Sequence, residues 1–497
     1  MDRHRQAAAR TDQKTLIEGL SRNRANERIV NFPYPNPTID QVIIDAQREK
    51  VARSKDKALI KALAKASFGN TNYPRDVLKK ALSVRAVPST AAERKEALRD
   101  ANLSTLKLVQ IGRGSFGTVF GILGTEWCLK KTLTSPDRLW EEFIMGQRMR
   151  QRVNGTASDA IFKSEQFQKV IMPMVPRYTW SGGMDDAESA GRLFKNIGHI
   201  FPVENEGQKP GPVICLERIM PLPKLIRDNL IKLYFKPENR RKALADKANK
   251  HCLCRPYLGR RSSEIAPDKR EKELQTLQNF PLYLDQLEDL RMEPLIIAQD
   301  MAMGLAAVHW SARANMLGVE YVIGSRPLTP PEVRFLVLDA DEEAMRSGSY
   351  SHRVRDMAPR APIRRNRPFQ LWMVDFDKVS RFKLSLGNNY RGEIEQLVRD
   401  TRTSGPYYPR ALPNSEGDWK LWLAFATTYI SASKIILNSI LRPVVDLGVS
   451  VPEKQLKLIF KRPSRIMNEW MRAESIEYNI DLDRFIDQAK SNGWEMP

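Results

Sequence analysis

Gly112-Arg113-Gly114-Ser115-Phe116-Gly117-Thr118-Val119 spells G-x-G-x-F-G-x-V. Glycines at this spacing let backbone N–H groups approach an anion that a Cβ would hold away. The flanking residues decide which anion is meant. A dinucleotide site needs a helix directly after the glycines, so that its N-terminus meets the pyrophosphate. Here Thr118-Val119-Phe120-Gly121-Ile122-Leu123 follows, which reads as a strand. A strand–glycine–strand hairpin is the form that folds over the phosphates of ATP in protein kinases. Gly112, Gly114 and Gly117 would supply backbone, Phe116 would cap the tip and Val119 would press on the base. A plain hairpin turn is the bland alternative.

That chemistry needs a cation, a carboxylate to hold it and a metal ligand. Cys128-Leu129-Lys130 supplies the cation, with Cys128 and Lys130 on one strand face beneath the hairpin and Lys131 pointing away. Arg138 to Arg150 reads as a helix and offers Glu141 and Glu142, of which Glu142 is preferred. Leu371-Trp372-Met373-Val374 carries Asp375 toward an interior, where a bound Mg²⁺ would offset the cost of a buried carboxylate. Asp375-Phe376-Asp377 is then a D-F-G-like element with Asp377 in place of glycine. Val213 to Ile219 would connect two lobes, its backbone around Glu217 and Ile219 facing a base.

The expected base for a substrate hydroxyl is missing. The loop Trp310-Ser311-Ala312-Arg313-Ala314-Asn315-Met316-Leu317-Gly318 contains no Asp. Asn315 cannot accept a proton at neutral pH, and Gly318 has no side chain to offer a second metal. Glu320 is the nearby carboxylate, placed within the following strand. His309 is expected at a helix end as a structural residue.

These elements need a scaffold. The chain has 497 residues with 42% hydrophobic and 28% charged side chains, enough for a core and against wholesale disorder. The expected class is α+β: a kinase-like two-lobed core with a small antiparallel-sheet lobe and a larger helical lobe. The reading divides the chain into a basic helical extension (1–104), small lobe and hinge (105–220), helical large lobe (221–445) and helical tail (446–497). Helices are predicted near Ile39–Leu63, Ala92–Asn102 and Leu290–Trp310, strands at Val319–Ile323, Val333–Leu338 and Gln370–Phe376. Basic insertions are placed at 237–275 and 341–369. Leu421–Ile430 is too short to span a bilayer and reads as a core helix.

Several segments together resemble a known family: Cys252-Leu253-Cys254-Arg255-Pro256-Tyr257-Leu258-Gly259-Arg260-Arg261, Phe280-Pro281-Leu282, Leu305 to Trp310, Val319 to Gly324, Leu371 to Lys378 and Tyr407-Tyr408-Pro409-Arg410. The likeness, from about Leu106 to the 430s, is to a fungal family of unknown function often labelled "zinc finger protein", domain of unknown function 3669. The family's loop looks like H-W-x-a-x-x-D-a-x-D-V-E-F-V-L-G, where a is apolar. This chain departs from it at Asn315 and Gly318, and has Ser404-Gly405-Pro406 in place of Asn-Asp-Pro. The resemblance implies no known substrate, and the departures imply weakened phosphoryl transfer.

Four cysteines exclude a disulfide framework and fit a reducing compartment. Cys252-x-Cys254 beside His251 falls short of the two ligand pairs of a structural zinc site, so no zinc is expected. Net charge is +21, from 80 Lys+Arg against 59 Asp+Glu, which attracts polyanions. The expected role is a degenerate kinase, binding ATP with Mg²⁺ or acting as a scaffold. One alternative is an atypical small-molecule phosphotransferase using Glu320. Another is a basic module for nucleic acid or an acidic protein, using Arg240, Arg241, Lys242, Lys247, Lys250, Arg260, Arg261 and the Arg353–Arg367 cluster. No membrane association is expected, and the location is read as cytoplasmic or nuclear.

Overall fold

A computed structural model of the chain describes residues 86–88, 108–114, 117–122, 127–162, 164, 167, 170–325, 366–382, 390–446 and 453–494. Phe116, the two predicted N-terminal helices, the predicted strand at 333–338 and most of the Arg353–Arg367 cluster lie outside them.

The chain is α+β. Its first sheet is an antiparallel five-stranded one in the order β2-β3-β4-β6-β5. The strands are β2 (Leu108–Arg113), β3 (Thr118–Ile122), β4 (Trp127–Lys131), β5 (Tyr178–Gly182) and β6 (Val213–Glu217). Every residue of central β4 is buried, because both faces of the sheet are covered. On one face Leu129 joins Phe120, Val213 and Cys215 in a small core. Helix α2 (Ala187–Ile197) closes that face with Phe194, whose ring stacks on Phe201 at 5.2 Å. Lys131 points away from the Lys130 face, as expected, and into this cover. Its Nζ donates to the carbonyls of Glu206 and Gly207 and lies 4.9 Å from the Phe194 ring centroid.

The other face packs on α1 (Pro136–Gln151). Pro136 opens the helix, Asp137 sits in its first turn, and Arg148 and Arg150 lie in its last turn. Its buried stripe is Leu139, Glu142, Phe143, Met145, Gly146 and Met149, the three- and four-residue spacing of an amphipathic helix. Gly146 is the point of closest approach: a Cβ there would sit 2.2 Å from the Tyr178 ring.

The second sheet runs β1-β10-β9-β7-β8, from β1 (Ala86–Pro88), β7 (Cys254–Tyr257), β8 (Phe280–Tyr283), β9 (Glu320–Ser325) and β10 (Asn366–Val374). β7 and β8 are its parallel pair. Three expectations change here. A strand arises inside the supposed helical extension. Residues 366–369 belong to β10 rather than to a loop. The stretch 237–275 is no mere insertion, because alternating Cys254 and Pro256 bury one face of β7 in the core.

Helices α3 (Pro294–Ala306), α4 (Tyr390–Arg402), α5 (Glu416–Asp446) and α6 (Glu453–Glu477) build the larger core. Pro294 starts α3, which ends sooner than its pattern suggested and runs into a π turn over Ala307–Ala312. Leu421–Ile430 lies inside α5, with Trp422, Phe425 and Tyr429 fully buried. No helix among the described residues is long and apolar enough to cross a membrane.

Candidate functional site

Gly114 N–H bonds to the Gly117 carbonyl at 2.8 Å, closing the glycine hairpin between β2 and β3. β3 pairs Val119 with Lys130 of β4, so the hairpin lies over the lysine. A Cβ on Gly117 would stand 3.0 Å from the Lys131 carbonyl and 3.5 Å from Lys130 Cε. Gly112 lies next to Val119 in the same register.

Lys130 Nζ lies 2.7 Å from Glu142 Oε2 and 2.8 Å from Asp375 Oδ1. The choice between Glu141 and Glu142 is settled by the helix face: Glu141 is exposed and Glu142 buried. The contact to Oε2 is a buried ion pair. Tyr178 O–H reaches the other oxygen at 3.5 Å. Asp375 follows β10 with φ of 64°, a left-handed turn that sets it against Lys130. Phe376 then enters the core, 6.5 Å from the Tyr178 ring, and Arg138 of α1 pairs with Asp377.

The electrostatics follow from burial and pairing. Burial pushes the Glu142 carboxyl up to about 7; Lys130 pulls it down and Asp375 adds to the rise. Burial would lower Lys130, but Glu142 and then Asp375 outweigh it and hold the ammonium above its ordinary value. Burial also raises Asp375, yet Lys130, Arg255 and Lys378 bring it below the usual carboxylate range. At neutral pH the site thus holds a firm cation beside an ionised Asp375.

Glu320 is brought to the same place. It pairs with Val374 across β9 and β10, next to Asp375. Arg255 of β7 forms an ion pair with it. Burial raises the Glu320 carboxyl, Arg255 lowers it and Asp375 raises it again. Tyr257 lies beside Arg255, and its ring centroid is 5.1 Å from that of Tyr407. Arg255, Tyr257 and Tyr407 were not assigned a role from sequence. Their signal was the likeness of the Cys252–Arg261 and Tyr407–Arg410 segments, which carried no chemistry until β7 met β9.

Asn315 is committed elsewhere. Its Nδ2 donates to Asp400 Oδ2 at 2.7 Å and Ser380 Oγ at 3.0 Å, and its Oδ1 accepts from Ser380 N–H at 2.9 Å. Gly318 has φ of 77° under the Lys378 side chain. His309 is fully buried with Nδ1 2.8 Å from the Tyr429 hydroxyl, a structural position. In the connector, Glu217 N–H is taken by the Arg177 carbonyl. Among the described residues neither the N–H nor the C=O of Ile219 has a backbone partner. Of the basic residues, Arg241, Lys242, Lys247 and Lys250 are exposed, whereas Arg261 pairs with Glu288 and Asp418.

Zinc does not fit the cysteines. Cys252 and Cys254 Sγ atoms lie 3.9 Å apart in the core, and the hydrogen-bonded contact between them together with burial holds the Cys254 thiol well above its ordinary pKa. His251 contacts Arg218 at 3.4 Å. Among the described residues no three His, Cys, Asp or Glu side chains converge as metal ligands.

No curated protein and no solved structure matches the chain. Residues 371–440, from the end of β10 through most of α5, match the family described as "Zinc finger protein". That segment is similar to the domain of unknown function 3669.

Proposed function

We propose that the chain from Leu108 to Leu441 is a two-lobed, protein-kinase-like core that binds a nucleoside triphosphate and transfers its phosphate poorly or not at all. The observation that carries this reading is Lys130, held between Glu142 of a helix and Asp375 after a buried strand, under a glycine hairpin. Lys130 would meet the phosphates, Gly112–Gly117 would cover them, and the free backbone of Ile219 would meet the base. Asp375, ionised and half-exposed, is the residue that would hold a divalent cation, whose chemistry is to neutralise charge on the phosphates.

Weak transfer follows from what the other residues do. Asn315 spends its amide on Asp400 and Ser380, and the carboxylate of Glu320 is satisfied by Arg255. A positioned base contributes about 10²–10⁴-fold to rate, and neither Asn315 nor Glu320 is free to act as one. Glu320 favours a second reading, transfer to a small molecule, because it adjoins Asp375 and its carboxyl is raised. In that case Arg255 must release it.

Thermal unfolding with ATP, with and without Mg²⁺, tests binding, since a ligand of the folded form must stabilise it. A Mg²⁺-dependent rise that Asp375→Asn removes is the expected result. No rise in either condition refutes the nucleotide reading. Turnover that survives in wild type and is lost in Glu320→Gln favours the second.

A further inference from the structure

Four arginines meet at a place the nucleotide reading does not use. Arg148 and Arg152 lie one turn apart at the end of α1 and the start of the turn that follows it. Arg148 Nε donates to the Ala312 carbonyl at 2.9 Å, beside Arg313. Arg152 accepts at its own carbonyl from Ser311 Oγ at 2.9 Å. Arg313, at φ of 53°, accepts from Phe382 N–H at 3.0 Å, and Ala314 bridges Arg381. The backbone contacts therefore bring the four residues together, near enough for the charges of Arg381, Arg152 and Arg313 to act on Arg148.

Nothing there offsets their charge. Among the described residues no carboxylate pairs with Arg148, Arg152, Arg313 or Arg381. Burial lowers the Arg148 pKa, and Arg381, Arg152 and Arg313 each lower it further, with no acidic group acting the other way. Arg152 Nε is buried and has no hydrogen-bond partner. Several arginines elsewhere are paired with carboxylates, as at Arg138–Asp377, Arg255–Glu320 and Arg261–Glu288. Clustered, uncompensated guanidinium groups cost free energy, and forked donors suit a tetrahedral dianion.

We propose that Arg148, Arg152, Arg313 and Arg381 form a binding site for a phosphate dianion, carried by a small molecule or by a phosphorylated side chain. Each element that supplies an arginine also supplies a residue of the Lys130 site. α1 carries Glu142, the chain after β10 carries Asp375 six residues before Arg381, and the loop holding Arg313 leads to Glu320. A phosphate here would tie the three elements together and fix the Lys130–Glu142–Asp375 geometry. Binding itself stands without the nucleotide reading; only this consequence rests on it.

The test uses the full chain produced in bacteria, with inorganic phosphate as the probe. Calorimetric titration and thermal unfolding are run in phosphate and in chloride at equal ionic strength. Phosphate should bind and stabilise the wild type. Arg313→Gln with Arg381→Gln, both at exposed positions, should weaken binding by about tenfold or more, the cost of losing charge-assisted bonds. Without phosphate the same double variant should melt no lower than wild type, because like-charge repulsion is relieved; this separates lost binding from misfolding. Loss of the response in the double variant, whose positions lie outside the Lys130 site, distinguishes this site from the nucleotide site. No phosphate effect on wild type, or an equal effect on the double variant, overturns the proposal. Protein from its own cells identifies the source. A phosphate mass increment that blocks the response until phosphatase treatment assigns a phosphorylated side chain, and a direct response without the increment assigns a free anion.

Discussion

Lys130 Nζ and Asp375 Oδ1 lie 2.8 Å apart although 245 residues separate them in the chain. That contact joins the central strand of one sheet to the end of a strand of the other. Its strength depends on Glu142, the third member, which is buried more deeply than Asp375.

Lys130→Met should therefore destabilise the fold by about 3–5 kcal/mol, the cost of leaving a buried partner unpaired. Adding Glu142→Gln to it should recover part of that loss, because the neutral amide needs no cation. Urea unfolding of the two single variants and the double variant gives the coupling energy. Strict additivity would mean that the pair seen here is not made in solution.

Burial of Glu142, opposed by Lys130, sets a pH dependence. The Glu142 carboxyl moves from its ordinary 4.5 to about 7, so between these values the folded chain binds more protons than the unfolded one. The contribution of Glu142 to stability then rises as pH falls from 7 toward 4.5. Comparing wild type with Glu142→Gln over this window isolates it: the wild type should gain relative to the variant on acidification. Nucleotide affinity should fall over the same window, since a neutral Glu142 no longer fixes Lys130.

Much of this site could be read in advance. The glycine hairpin, Lys130, Glu142 and Asp375 each announce themselves through local pattern: two-residue alternation, helical spacing, or a run of buried apolar residues before a carboxylate. Arg255 could not be read so. It reaches Glu320 only because β7, within a stretch that looks like a solvated basic insertion, inserts between β8 and β9. What Lys131 meets could not be read for a related reason. Alternation placed it correctly on the opposite face, but the cover over that face, Phe194 and Phe201, lies more than sixty residues away in sequence. The arginine cluster likewise depends on which loops touch the end of α1.

Asn315→Asp should not create a catalytic base by itself. It exchanges a donor to Asp400, at 2.7 Å, for a second carboxylate. The two cannot both ionise comfortably, so the new carboxyl should titrate well above its ordinary value. A stability loss of about 1–3 kcal/mol is expected, the cost of a buried hydrogen bond lost without replacement. Combining it with Asp400→Asn should recover stability. Chemical denaturation of the three variants at pH 8 is the check, and a neutral single substitution would contradict the observed Asn315 bonds.

Gly146 sets how closely α1 approaches β5. A Cβ there would meet the Tyr178 ring at 2.2 Å, inside any real contact distance. Gly146→Ala gains helix propensity worth about 0.5–1 kcal/mol, but overpacking costs about 1–3 kcal/mol, so the net effect should be destabilising. Because Tyr178 also touches Glu142 and Phe376, the variant should weaken ATP binding more than a surface Gly→Ala change in the same helix class would. Pairing it with Tyr178→Leu, which removes most of the ring, should restore stability.

His309 makes the acid limb of the stability curve. It is fully buried, its Nδ1 is engaged with Tyr429, and its Nε2 has no partner. Protonation would put a charge and an unmet donor into the core, and burial accordingly depresses its pKa from 6.5 to about 3. The sign is opposite to that of Glu142. Below pH 6.5 the unfolded chain takes up a proton at His309 that the folded chain refuses, so stability falls as pH falls, at up to about 1.4 kcal/mol per pH unit. The loss should run until the folded state itself is protonated near pH 3. Because Glu142 acts the other way between 7 and 4.5, the wild-type curve there shows only the difference, and single variants are needed to see each part. His309→Gln keeps a polar group near Tyr429 and cannot charge. It should be less stable than wild type at pH 8, where it only disturbs packing, and the gap should narrow steadily on acidification below 6.5. Urea unfolding at half-unit pH steps measures the gap, and a gap constant from pH 7 to 4 would mean that His309 is not neutral in the folded core.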